Sequence, residues 1–348
     1  MQEVSHVSPQ GNGSGKASGQ HEILLAQDLY KFYGPRPALR GLSFSLNAGR
    51  ILGFLGPNGA GKTTAIRILT TMMEPDSGHF VVDGIGSEYP ERIRRKIGVL
   101  PESLGFPKQI TGAEYLTYFG QLYGRSAAQA RSQGLALLEE VGLQQRGKSL
   151  IGSYSHGMRQ RLGIARSLVN DPVVVFLDEP TLGLDPRGQQ ELLSLVRRTA
   201  QERKVGVVLC SHALWEIEVV CDDVVILNVG QVAAAGAVSE VVGGVRSGDT
   251  HHSVLRIQVP AASVAEAQPL LEALPEVVKA TATGEAAGWL RVELAAPVLS
   301  DGESTQDLLV NNRIMAALIG AGIPILSFEA AGSRLHEVFL ALTEERVK

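Results

Sequence analysis

Apolar residues recur along this chain with two different periods, and the places where the period changes mark its elements. From His21 onward, short apolar runs predict β-strands: EILLAQDLYKFY at 22–33, LSFSLNAG at 42–49 and ILGFLG at 51–56. The last of these feeds a glycine-rich turn and then TTAIRILTTMM at 63–73, whose three- and four-residue spacing predicts a helix. AEYLTYFGQLYG at 113–124 and ARSQGLALLEEVGL at 130–143 carry the same spacing and predict a helical region. Runs apolar on both faces follow: VVVFLDEP at 173–180 and KVGVVLCSH at 204–212, each leading into a helix, then CDDVVILNVGQVAAAG at 221–236. Strands that alternate with helices and are apolar on both faces imply an α/β fold, with a mainly parallel sheet covered by helices on both sides. The large domain is expected to end near Val242.

Composition then divides the chain. Residues 1–20 are rich in Gly, Ser and Gln and lack aromatics, so they read as a disordered tail. GGVRSGDTHH at 243–252 reads as a linker. Beyond it the pattern is VLRIQVP (strand), VAEAQPLLEALPEV (helix), VKATATG and GWLRVELA (strands), STQDLLVNNRIMAALIGAG (helix), PILSFEAA (strand) and RLHEVFLALTEE (helix). That βαββαβ order with a terminal helix predicts a small α+β, ferredoxin-like domain over 253–348.

With 348 residues, 44% of them hydrophobic, a sizeable core is expected, and a net charge of -4 provides no basic field for nucleic acid. Cys210 and Cys221 cannot make a disulfide framework; the first ends an apolar run and is expected to be a buried small hydrophobe. The longest apolar run, IMAALIGAGIPIL at 314–326, is broken by Pro324 and too short to span a bilayer, so the chain reads as cytoplasmic and soluble.

The strongest chemical signal is GPNGAGKTT at 56–64, which fits G-x-x-x-x-G-K-[ST] between an apolar strand and a helix. Backbone N–H groups of Gly56, Pro57, Asn58, Gly59, Ala60, Gly61, Lys62, Thr63 and Thr64, proline excepted, are in position to wrap phosphate oxygens. Lys62 would then reach the β- and γ-phosphates, and the Thr63 hydroxyl would ligate Mg²⁺. In VVVFLDEP a buried strand runs into two carboxylates, which are costly there unless they serve a cation or a water. Asp178 is expected to meet Mg²⁺ through its water shell and Glu179 to act as the general base; helix capping is the plainer alternative.

The order of motifs, P-loop, helical insert, SYSHGMRQ, LDE, TLGLDP and CSH, resembles the ATP-binding subunits of ATP-binding cassette (ABC) transporters over about residues 22–242. The resemblance implies a P-loop NTPase fold with a RecA-like mixed-sheet core and a helical insert at about 103–165. SYSHGMRQ corresponds to the family's Leu-Ser-Gly-Gly-Gln signature, with Tyr154 in the Leu place, Ser155 as Ser, His156 and Gly157 as the two glycines and Met158 as Gln. In the family this signature completes the site of a second copy, so Ser155 and Gly157 would face a partner's ATP. Ser155 is also a natural N-cap for the helix that follows. The resemblance further implies that Tyr33 stacks on adenine, that Asp185 lies at the dimer interface, and that His212 contacts the γ-phosphate. Tyr33 and His212 could instead be ordinary core residues.

Glu102 in IGVLPESLGF departs from the pattern, standing where the family has glutamine. A carboxylate can accept from Mg²⁺-bound water but cannot donate as an amide does, so ligand, nucleotide sensor and surface glutamate all stay open. His156 is open too: it could fix the turn, or carry charge near a partner's γ-phosphate and make closure pH-dependent. His6, His21, His79, His251, His252 and His336 sit in no constellation. The ending at 322–345 resembles ATPase subunits of the ABC-2 type, mostly exporters. The implied protein is an ATPase using ATP and Mg²⁺, acting as a homodimer or with a homologous subunit. It would be held at the inner face of the membrane by a separate permease that docks on the helical insert. A soluble ABC ATPase working on a macromolecular assembly is the alternative.

Overall fold

The computed structural model describes residues 21–103, 105–244, 253–282, 288–294 and 305–330, with 335, 338, 339 and 342. The expected tail at 1–20, most of the linker with His251 and His252, and His336 lie outside the described residues.

The chain begins with a long hairpin of β1 (Glu22–Tyr33) and β2 (Arg36–Asn47), followed by β3 (Ile51–Leu55) and α1 (Lys62–Leu69). β4 (Ser77–Val82), the short β5 (Ile85–Gly86), α2 (Pro90–Arg94) and β6 (Ile97–Leu100) come next. The insert contains α3 (Gly112–Leu122) and α4 (Ala127–Glu140), and α5 (His156–Ser167) returns to the core. Then follow β7 (Val174–Asp178), α6 (Pro186–Arg203), β8 (Gly206–Cys210), α7 (Leu214–Val220), the hairpin β9 (Asp223–Asn228) and β10 (Gln231–Ala237), and α8 (Val238–Gly244).

Local chemistry starts these helices where they start. Thr111 and Ser126 form capping boxes with Glu114 and Gln129, satisfying donors that the first turns of α3 and α4 leave free. Asp185 caps α6, with Pro186 at its first position, and the Ser155 hydroxyl accepts from the Met158 N–H at 3.2 Å to cap α5.

Two sheets build the large domain. A six-stranded sheet has the order β10-β9-β3-β8-β7-β6, parallel except for β10, and a four-stranded antiparallel sheet has the order β2-β1-β4-β5. Alternate residues of each central strand face opposite sides. Leu55, Leu177, Leu209 and Ile226 point into a core shared with α3–α7, whereas Phe54, Phe176, Val208 and Leu227 point into one shared with β1, β2, β4 and α1. Helices lie on both faces, as expected, but the second face is only partly theirs. Helices cover one face, and the antiparallel sheet with α1 and α2 covers the other, because the hairpin's buried side offers Leu24, Leu29, Leu39 and Leu42 as an apolar surface. The run 221–236 is likewise two strands, turned at Val229 and Gly230, both with positive φ.

The C-terminal part contains β11 (Ser253–Gln258), α9 (Val264–Glu272), β12 (Val277–Ala282), β13 (Trp289–Leu294), α10 (Thr305–Gly320) and β14 (Ser327–Ala330). Its sheet is antiparallel in the order β12-β13-β11-β14, and residues of α9 and α10 pack on it around Ile257, Leu290, Val292 and Ile314. The succession is the βαββαβ of the sequence pattern. The end of the chain, however, does not stay with this small core. Leu335 and Val338 are buried in the helical core of the large domain, the Leu335 N–H donates to Glu218 on α7 at 2.9 Å, and the Asn228 amide donates to the Leu342 carbonyl at 3.1 Å.

Candidate functional site

Parallel strands all point the same way, so the loops at their carboxyl ends gather along one edge of the sheet. β3, β8, β7 and β6 are neighbours in that order. The loop after β3 is the glycine-rich turn, that after β8 carries Ser211 and His212, that after β7 carries Glu179 to Asp185, and that after β6 carries Glu102. Strand order alone thus brings together residues that lie more than a hundred positions apart. A cleft of about 750 Å³ lies there, lined by Asn58 to Thr64, Glu102, Asp178, Glu179 and His212, with Tyr33 at the end of the hairpin.

The turn is shaped for close approach. Gly61 has φ +108° and a Cβ there would stand 2.5 Å from the Ala38 carbonyl oxygen, so only glycine fits between the loop and β2. α1 begins directly after it, presenting the free N–H groups of its first turn to the cleft. Lys62 Nζ donates to the carbonyls of Gly56 at 2.5 Å and Pro57 at 3.2 Å, which holds the ammonium at the mouth of the loop. Gly56 and Pro57 themselves contribute these carbonyls rather than cleft wall.

On the far side stand three carboxylates. Burial lifts the Asp178 carboxyl above its ordinary value, the charges of Glu102 and Glu179 add to this, and Lys62 and Arg67 oppose it. Glu179 has φ +50°, a conformation that costs a non-glycine residue about 1–3 kcal/mol. It is kept there by its N–H bond to the Cys210 carbonyl at 3.0 Å and by its Oε2, 2.8 Å from His212 Nδ1. The carboxylate and imidazole thus form one unit facing the cleft. Glu102 is exposed on the cleft wall, not elsewhere on the surface. Tyr33 is 48% exposed, so its ring is not core. Cys210 is buried, and burial pushes its thiol well up, as its place in an apolar run implied.

Ser155, Gly157 and Asp185 do not line this cleft. They lie beside one another across a short contact: His156 Nε2 is 2.8 Å from the Leu182 carbonyl oxygen, and Gly157 faces Leu184 closely enough that a Cβ would sit at 3.5 Å. The N-terminus of α5 and residues 183–185 therefore form a second surface, which adjoins the cleft at Leu182. Arg36, Pro37, Ala38 and Leu182 also line the cleft and were not singled out in the sequence; the nearness of Arg36 to Tyr33 in the chain is the signal that could have found it.

A strand, a glycine-rich turn and a helix, with an acidic strand end two places along the sheet, define a P-loop nucleoside triphosphatase. The family model described as ABC transporter matches residues 39–182. The chain is 36% identical over 324 residues to the daunorubicin/doxorubicin resistance ATP-binding protein DrrA of Streptomyces peucetius, covering 90% of each chain. It is 40% identical over 211 residues to the bacitracin transport ATP-binding protein BcrA of Bacillus licheniformis, covering 60% of this chain and 68% of that one. Among solved structures, the ATP-binding subunit of an ABC transporter superposes with a TM-score of 0.57 at 31% identity, covering 65% of this chain and 95% of that one. The chain belongs to the ABC transporter family, as an ATP-binding and ATP-hydrolysing subunit of the ABC-2 exporter type. No helix among the described residues is long and apolar enough to cross a membrane.

Proposed function

We propose that this subunit hydrolyses ATP in the cleft between the glycine-rich turn and Glu179, in a dimer that drives a separate membrane permease. The observation that carries the reading is the Glu179–His212 pair, held by a strained backbone opposite Lys62 and the start of α1. In this reading the loop N–H groups and Lys62 bind the β- and γ-phosphates, Tyr33 stacks on the base, and Glu179 takes the proton of the attacking water. His212 orients Glu179 and meets the γ-phosphate.

Mg²⁺ fits the donors present. Among the described residues no three His, Cys, Asp or Glu side chains form a metal cage. The Thr63 hydroxyl and the Asp178 carboxylate, with Glu102 on the cleft wall, are instead the hard oxygen donors suited to an ion that keeps waters and phosphate oxygens as its other ligands. When bound, it would neutralise phosphate charge.

Ser155, Gly157 and Asp185 lie outside the cleft on a surface of their own, which supports their serving the ATP of a second subunit. Closure would sandwich two nucleotides, and hydrolysis would release the halves. The named relatives, a daunorubicin/doxorubicin resistance protein and a bacitracin transport protein, favour an antibiotic-like cargo, with the chain held at the inner membrane face by its permease. Glu179→Gln tests the chemistry: it should bind ATP, turn over at least about a hundredfold more slowly and accumulate an ATP-bound dimer on sizing. Normal turnover would remove Glu179 from the base role.

A further inference from the structure

Outside the cleft, one carboxylate is buried deep in the domain, and its two hydrogen-bond partners come from two different loops of the site. Glu216 stands in the first turn of α7 and is 1% exposed. Its Oε1 accepts from the Thr181 hydroxyl at 2.6 Å and its Oε2 from the Ser211 hydroxyl at 2.7 Å. Both partners are as buried as it is, and Ser211 Oγ also accepts from the Ala213 N–H at 3.0 Å.

Burying a carboxylate is costly, and two hydroxyls repay the cost only partly. The polar contacts must therefore be judged by what they hold. Thr181 opens the loop that ends in Asp185, and Ser211 immediately precedes His212. Glu179 binds His212 through its side chain and Cys210 through its N–H. The contacts close a ring: Glu179 to His212, back along the chain to Ser211, across Glu216 to Thr181, and through Pro180 to Glu179. One rigid, planar carboxylate sets the spacing of the two loops that carry the catalytic pair.

We propose that Glu216 is a positioning residue for ATP hydrolysis, locking the 181–185 loop to the His212 loop so that the Glu179–His212 pair is aligned only when both loops are in place. This rests on that pair being the hydrolytic centre. The test uses Thr181→Val, Ser211→Ala and Glu216→Gln in the full chain, measuring ATPase kcat and KM, affinity for a nonhydrolysable ATP analogue, and urea midpoints. Each hydroxyl variant should lower kcat about tenfold with KM and analogue affinity within about twofold. The double variant should lose much less than the product of the two, because both act through one carboxylate. Glu216→Gln, which keeps the shape and can accept from one hydroxyl while donating to the other, should stay within about threefold of the parent kcat.

Unchanged kcat in both hydroxyl variants, a fall in kcat matched by loss of folded protein, or a rise in KM of the same size would overturn the proposal. The two readings fail separately. Normal turnover in Glu179→Gln removes the hydrolytic centre, whereas normal kcat in the hydroxyl variants beside an inactive Glu179→Gln removes the role of Glu216 alone.

Discussion

Replacing His156 by alanine removes a single hydrogen bond, and the size of its effect separates two roles for this residue. The ring nitrogen lies 2.8 Å from the Leu182 carbonyl, in a solvent-exposed contact that ties the first turn of α5 to the 181–185 loop. A hydrogen bond is worth about 0.5–1.5 kcal/mol net, and exposure puts this one in the lower half, because water can replace it. About 0.5–1 kcal/mol corresponds to roughly a two- to fivefold change in the share of molecules with the loop in this arrangement. ATPase turnover of His156→Ala should fall by about that factor. The loss should stay within that range across neutral pH, for a carbonyl only accepts and Nε2 therefore donates to it whichever charge the ring carries. Steady-state ATPase rates from about pH 6 to 8, measured for parent and variant, check both points. A loss beyond about tenfold, or an inflection between about pH 6 and 7 in the parent that the variant lacks, would refute this reasoning. Either result would mean that the ring meets phosphate or charge on a second subunit.

Other outcomes follow from single contacts. Gly98→Ala would put a Cβ 1.9 Å from the Ser167 carbonyl oxygen, prising α5 from β6; a loss of about 3 kcal/mol in urea unfolding is expected, and an unchanged midpoint would contradict the packing. Glu102→Gln should leave nucleotide affinity within about tenfold, since an amide oxygen can replace a carboxylate oxygen on the cleft wall; a larger loss in a direct binding titration would make the carboxylate a metal ligand. The Asp83 carboxyl is held below its ordinary value by its hydrogen bond to Lys96, 2.8 Å away. Its contribution to stability, about 1 kcal/mol or less, is therefore present above its unfolded pKa and lost as pH falls through its folded one. Asp83→Asn should accordingly lower the thermal midpoint near neutrality and converge with the parent in acid.

Much of the fold is legible in the chain because its signals are short-range. The apolar run at 22–33 is β1 to the residue, the three- and four-residue spacing at 113–124 falls on α3 within two residues at its end, and Ser155 caps α5 as its position before RQRLGIARS implied. The glycine-rich turn is legible for the same reason. Its residues are contiguous, and a strand that ends at Leu55 and a helix that starts at Lys62 leave the turn between them few ways to fold. β6 and α2 were less so, since a four-residue strand and a one-turn helix carry too few positions to establish a period.

By itself the sequence determined the local machinery: a glycine-rich turn between a strand and a helix, an acidic strand end, capped helices and a βαββαβ succession. It left open which loop stands beside which. That depended on strand order, and strand order is decided by burying both faces of β3, β7 and β8 at once. One face took the helices, and the other took the β1–β2 hairpin that the pattern had not assigned there. Only in that arrangement does Glu102 reach the cleft, His212 meet Glu179, His156 find the Leu182 carbonyl and Glu216 bridge Thr181 to Ser211. Apart from the Ser211–Glu216 bond, which spans five residues, each of these joins residues remote in the chain, so no local period could encode it; the packing of the core selects it.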